Sequence, residues 1–161
     1  MLLKEVLRIL EEDARQTPKQ IAAVTGTTEE EVATLIRQAE DDGTIIKYRT
    51  LIDWDKMGGE YVWALIEVKV TPQRTVGFDA IAEQIYRFEE ARTVYLMSGT
   101  YELAVLISAR NMRDVADFVT KKLAAIEGVT GTTSHFLLKR YKEDGVIIAG
   151  GGGTSRQAVV L

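Results

Sequence analysis

The sequence predicts an α+β chain in two parts, a small helical unit followed by a strand-helix-strand-strand-helix-strand sandwich. Three observations predict it. Residues 1–42 place apolar side chains at helical spacing, residues 61–70 alternate with the two-residue period of a strand, and residues 53–60, with Gly58-Gly59, follow neither rhythm. The expected organisation is a head over 1–52, a linker over 53–60, a sandwich over 61–145 and a glycine-rich tail over 146–161.

In the head, Leu3, Val6, Leu7, Leu10 and Ala14 give a first helix that buries one stripe. Thr17-Pro18-Lys19-Gln20 supplies a capping hydroxyl, a proline at the first helical position and a glutamine that can reach back, so a second helix starts there and ends near Gly26. Thr28-Glu29-Glu30-Glu31 repeats the cap, its acidic side chains favoured by the helix dipole, and Val32, Leu35, Ile36 and Ala39 carry a third helix over about 29–42 to Gly43. Two short helices around a tight turn fit any small bundle, and they also match the helix-turn-helix plan, whose last helix enters the major groove. Ile45, Ile46, Tyr48, Leu51 and Ile52 then form a β-rich ribbon, placed as a wing, which makes the head a winged helix-turn-helix.

In the sandwich, Val62, Ala64, Ile66, Val68 and Val70 alternate with Tyr61, Trp63, Leu65, Glu67 and Lys69, and Pro72 closes the strand. Phe78, Ile81, Ala82, Ile85 and Phe88 give a helix; residues 92–98 and 101–108 give two strands joined at Ser98-Gly99-Thr100. Asn111 and Asp114 open a helix carrying Val115, Val119, Leu123 and Ile126 to Gly128, and residues 132–141 form the last strand. This order is that of a ferredoxin-like βαββαβ sandwich with both helices on one sheet face. Trp63 and Leu65, with Tyr95 and Met97, then point to the uncovered face, which predicts sheet-to-sheet homodimers. The glycines at 150–153 and Gln157 to Leu161 read as a hinge and a short extension.

Composition narrows the function. With 46% hydrophobic and 27% charged residues a packed core is expected. With no cysteine, disulfides and thiolate sites are excluded, and with one histidine a protein-built zinc site is not expected, so neither metal nor cofactor is expected. Nucleophilic triads and P-loops are missing. No apolar run approaches the ~18 residues of a membrane span, and a soluble, cytoplasmic chain is expected. The charge opposes nucleic-acid binding: the chain carries −4, and residues 1–59 carry eight Lys/Arg against twelve Asp/Glu, whereas phosphate neutralisation supplies much of DNA affinity.

The residues nevertheless resemble the leucine-responsive regulatory protein/AsnC family of prokaryotic transcription factors over roughly 1–145. The resemblance lies in Gly43 to Gly58 (glycine, two aliphatics, Tyr48, Ile52-Asp53 and a later glycine), in Ser98-Gly99-Thr100-Tyr101-Glu102, and in Gly128-Val129 before Thr132, Ser134 and Lys142. It implies a regulator that binds double-stranded DNA, with an amino-acid-sensing sandwich of the RAM type, dimers built through the sheets and often a ring of four dimers, an octamer. It further implies an effector loop at Ser98, Gly99, Thr100, Tyr101 and Glu102, where Glu102 stands in place of the family's usual aspartate. Thr28, Glu30, Thr34 and Arg37 on the third helix and Lys47 and Arg49 on the wing are the candidate DNA contacts; only Arg37 on the reading face is suited to guanine, and a surface ion pair with Glu40 or Asp41 is its alternative. His135 is read as a structural, hydrogen-bonded group. Two other functions stay open: an enzyme similar to the sirohaem decarboxylases, which use histidine and arginine around a tetrapyrrole, and an assembly module whose acidic head binds a protein.

Overall fold

The computed structural model describes residues 1–58, 61–71 and 77–148. Pro72, the glycines at 150–153 and the stretch Gln157 to Leu161 lie outside them. The chain divides into two compact units, Met1–Ile52 and Asp53–Leu161. No helix among the described residues is long and apolar enough to cross a membrane.

The first unit contains α1 (Leu2–Glu12), α2 (Pro18–Thr25) and α3 (Glu29–Asp41). Thr17 and Gln20 form the reciprocal cap expected at the start of α2, and Thr28 Oγ1 accepts from the Glu31 N–H at 3.2 Å at the start of α3. Val6, Leu10, Ile21, Ala22 and Val32 form the core at the crossing of the three helices. The wing departs from expectation. Residues 45–52 form no strand and have no ladder partner among the described residues. A β-rich composition supplies side chains that suit a pleat but not the second strand a pleat needs. The segment is tied instead to α3, through Ile45 N–H to Ala39 O at 2.8 Å and the Tyr48 hydroxyl to Glu40 at 2.9 Å.

The second unit opens with a 3-10 turn (Trp54–Met57) and continues as β1 (Val62–Val70), α4 (Phe78–Tyr86), β2 (Ala91–Leu96), β3 (Leu103–Ala109), α5 (Met112–Asp117), a π-helical turn (Phe118–Leu123) and β4 (Val129–Phe136). The strands lie in the order β2-β3-β1-β4 with every pairing antiparallel, the ferredoxin-like arrangement. Ala64, Ile66, Val68 and Val70 of β1 and Leu103, Val105 and Ile107 of β3 face Ile81, Ile85, Val115, Phe118 and Leu123 of the helical layer.

Three details differ from the sequence reading. The second helix changes character at Phe118, where the Ala124 N–H bonds to Val119 O, five residues back, at 2.9 Å. Phe118 and Leu123, also five apart, would diverge by roughly 140° on an α-helix. The wider turn lets both reach the core. The last strand runs from Val129 to Phe136 and not over 132–141, because its partner β1 runs out: Leu137 N–H to Trp63 O, at 2.9 Å, is the final bond. Beyond it, β5 (Lys142–Glu143) and β6 (Val146–Ile147) form a two-residue hairpin across Asp144 and Gly145, whose φ values of 46° and 80° suit the right-handed twist of the strands.

Gly128 joins the helical layer to β4 with φ 94°, and its carbonyl accepts from Thr71 N–H at 2.9 Å. A Cβ there would lie 2.9 Å from Ile81 Cδ1 and 3.4 Å from Thr71 O, so Gly128→Ala combines a left-handed backbone with overpacking. The expected loss is on the order of 2 kcal/mol, read as a lower urea midpoint at unchanged slope.

Candidate nucleic-acid interface and hairpin loop

The turn between α2 and α3 closes at Gly26 (φ 70°) and hands the chain to Thr28, so both helix ends are satisfied locally and α3 presents its outer face without help from other elements. Thr28, Glu30 and Thr34 line one shallow depression on that face, about 340 Å³ in volume. Arg37 lies one turn further, exposed, and its guanidinium donates to Thr34 Oγ1 at 3.4 Å; among the described residues it makes no ion pair with Glu40 or Asp41. Glu40 is engaged by the Tyr48 hydroxyl instead, and partial burial, followed by that hydrogen bond, pushes the Tyr48 phenol up. Thr44, through its hydroxyl and its N–H, holds the Asp42 carboxyl below the usual carboxylate range. Lys47 and Arg49 are exposed on the extended segment that follows. The first turn of α3 carries Glu29, Glu30 and Glu31, which favour the helix but put negative charge at the end that would meet phosphate.

In the second unit the connection between β2 and β3 is longer than a tight hairpin. The strands end at the pair Leu96↔Leu103, so Met97, expected on the uncovered sheet face, belongs to the loop along with Ser98, Gly99, Thr100, Tyr101 and Glu102. Strand pairing stops there because Glu102 turns inward. Its backbone carbonyl accepts from Met97 N–H at 2.8 Å, its N–H donates to Val68 O at 3.2 Å, and its carboxylate accepts from Val70 N–H at 2.7 Å. The β1–β3 ladder ends at Val68, and β1 bulges between Lys69 and Val70 on its other side. The Glu102 side chain thus supplies the partner that Val70 lacks in β3. Ser98, Gly99 and Thr100 are exposed, and Tyr101 is half-buried.

Trp63 and Leu65 lie on the sheet face away from the helices, beside Leu106 and Ser108 of β3 and His135 of β4, and Tyr95 joins them opposite Ala104. Trp63 is covered in part by the Arg140 guanidinium, 5.7 Å from its ring and ion-paired with Glu143 at 2.8 Å. His135 Nε2 lies 3.1 Å from Glu67 Oε1 on the same outer face. The sequence reading missed Arg140 and the β5–β6 hairpin beside it, although Asp144-Gly145 followed by Val146-Ile147 is a hairpin signature.

Comparison with known proteins agrees with both halves. Residues 2–46 match the winged helix-turn-helix DNA-binding domain and residues 63–147 the Lrp/AsnC ligand binding domain. The chain is 48% identical over 156 residues to the uncharacterized HTH-type transcriptional regulator YugG of Bacillus subtilis, covering 96% of this chain and 94% of that protein. It is 31% identical over 139 residues to the HTH-type transcriptional regulator LrpA of Pyrococcus abyssi, covering 86% and 96%. A transcriptional regulator from Neisseria meningitidis, solved as a complex with L-Met, shares the fold with a TM-score of 0.72 at 20% identity, over 88% of this chain and 91% of that one. With a helix-turn-helix in the first unit, a ferredoxin-like ligand-binding sandwich in the second and relatives that span nearly its whole length, the chain belongs to the Lrp/AsnC family of DNA-binding transcriptional regulators.

Proposed function

We propose that the protein reads its operator with the outer face of α3, contacts phosphate through Lys47 and Arg49, works as a dimer joined through the outer sheet face, and responds to an amino acid held at the loop 97–102. The observation that carries this reading is the exposed α3 face, on which Thr28, Glu30, Thr34 and Arg37 stand clear of the head's core. Three glutamates at its leading end make a single head a weak binder, so two or more tethered heads are needed, and avidity of roughly 10²–10⁴ supplies the difference when their spacing fits. An octamer is a further extension of the same principle. The effector assignment is supported by the matched ligand-binding domain and by the L-Met complex of the Neisseria relative. Because one Glu102 oxygen is engaged by Val70, the loop's backbone groups around Gly99 carry much of the ligand contact in this reading.

Arg37→Ala is expected to cost about 1–3 kcal/mol of operator affinity and to relax sequence preference, whereas Lys47→Ala or Arg49→Ala should weaken all sequences alike and flatten the salt dependence. Fluorescence anisotropy on an operator and a scrambled duplex at two salt concentrations separates these outcomes. Wild-type behaviour in all three variants would remove the assignment of α3 as the reading element.

A further inference from the structure

Three hydrogen bonds lay the segment after α3 alongside the last turn of that helix. Gly43, with φ 77°, turns the chain back; Thr44 N–H then donates to Asp42 Oδ1 at 2.8 Å, Ile45 N–H to Ala39 O at 2.8 Å, and the Tyr48 hydroxyl to Glu40 Oε1 at 2.9 Å. The first two use backbone donors that almost any residue supplies. Only the third requires a particular side chain in the segment.

Glu40 is well placed to disable Arg37. The two are three residues apart on α3, roughly 60° around the helix, and helical side chains lean toward the N-terminus, so an unheld Glu40 carboxylate lies over the turn that carries Arg37. No such pair forms: Arg37 is exposed and donates to Thr34 Oγ1 at 3.4 Å, toward the leading end of the reading face. The Tyr48 hydroxyl holds the carboxylate instead. A hydrogen bond from a phenol to a charged acceptor outweighs an exposed ion pair, which is screened and costs two long side chains their freedom. Burial and the bond to Glu40 both push the Tyr48 phenol up, so it stays a donor at physiological pH.

We propose that Tyr48 is a positioning residue for sequence reading: its hydroxyl holds Glu40 off Arg37 and keeps the guanidinium available to a base edge. The inference rests on α3 as the reading element and adds a specificity determinant outside that helix. Tyr48 acts through the fraction of heads whose Arg37 is unpaired. An ion pair of ordinary helix-surface strength would tie up about a half to two-thirds of the Arg37 side chains and so lower apparent affinity about two- to threefold per head. Where two heads share an operator the loss approaches roughly tenfold.

The test is fluorescence anisotropy with the full chain on a duplex selected from random sequence by the wild type, and on a scramble of it. Tyr48→Phe leaves the net charge unchanged and, with Tyr48 43% exposed, keeps the fold. It should lower the ratio of selected to scrambled affinity at least twofold. Glu40→Gln added to Tyr48→Phe should restore the ratio, whereas Asp41→Asn, which removes an equal charge four residues from Arg37, should not. In an Arg37→Ala background Tyr48→Phe should change the ratio no further. An unchanged ratio in Tyr48→Phe overturns the proposal and leaves α3 as the reading element. A loss equal on both duplexes and not restored by Glu40→Gln also overturns it, and makes Tyr48 only a support for Lys47. Restoration by Asp41→Asn as complete as by Glu40→Gln overturns it in favour of bulk charge. If Arg37→Ala itself leaves the ratio unchanged, the reading of α3 falls first and this inference with it.

Discussion

Leu65→Glu is expected to give a monomer where the proposed sheet-to-sheet interface gives the wild type as a dimer and, through it, to lower operator affinity by about 10²–10⁴-fold, although residue 65 is not part of the reading head. Leu65 lies on the outer sheet face with Leu106 on one side and His135 on the other, and Glu67 two residues along the same face. A carboxylate introduced there would be buried in the proposed interface next to another acid, and an uncompensated buried charge costs about 3–5 kcal/mol. A dimer places two such charges at one contact. Trp63 is the less informative position because the Arg140 guanidinium over its ring would partly neutralise an introduced acid. Sedimentation velocity and anisotropy on the same samples give the answer. If the variant stays dimeric, the outer face is not the interface; if it is monomeric yet binds like wild type, avidity is not what compensates for the acidic heads.

Phe118→Ala is expected to destabilise the second unit by about 3–5 kcal/mol, the usual range for removing a buried phenyl group. Phe118 is 2% exposed and meets Phe88 edge to face, with ring centroids 5.6 Å apart, while Lys122 lies over both rings. Removing it empties the core between the π-turn and the sheet. Domain stabilities are about 5–15 kcal/mol in total, so the loss is a large fraction. Both tryptophans, Trp54 and Trp63, belong to the second unit, so their fluorescence reports its unfolding separately from that of the helical head. A midpoint shift equivalent to less than 1 kcal/mol would show that the π-turn is not anchored by this side chain.

Local signals in the sequence were legible wherever one element decides its own structure. The Thr17 to Gln20 cap, the Thr28 cap and the alternation over residues 61–70 each need only neighbours in sequence, and each is present in the fold. Features set by a distant partner were not. Residues 45–52 have strand composition but no second strand, and β4 ends at Phe136 because β1 ends, whatever the apolar character of Leu137, Leu138 and Tyr141 implies. The π-turn follows from Phe118 and Leu123 both seeking the core, which a count at helical spacing cannot show. For the candidate sites, the glycine at 99 marked a loop, but the inward turn of Glu102 depends on Val70, 32 residues earlier, and was invisible from the hairpin alone.

The sheet order has a consequence for synthesis. β1 is a central strand and its outer neighbour β4 is the last of the four, with Ala64 opposite Phe136, so the sheet cannot close until nearly the whole described chain has been made. The head, by contrast, is complete at residue 52. At usual elongation rates of about 5–20 residues per second, the interval between the two is roughly 4 to 17 s. Throughout it the ribosome carries a finished reading head without the surface through which, on the dimeric reading, heads are paired. If heads work in pairs, as proposed, unfinished chains should not compete for operators, and occupancy should follow the number of completed dimers.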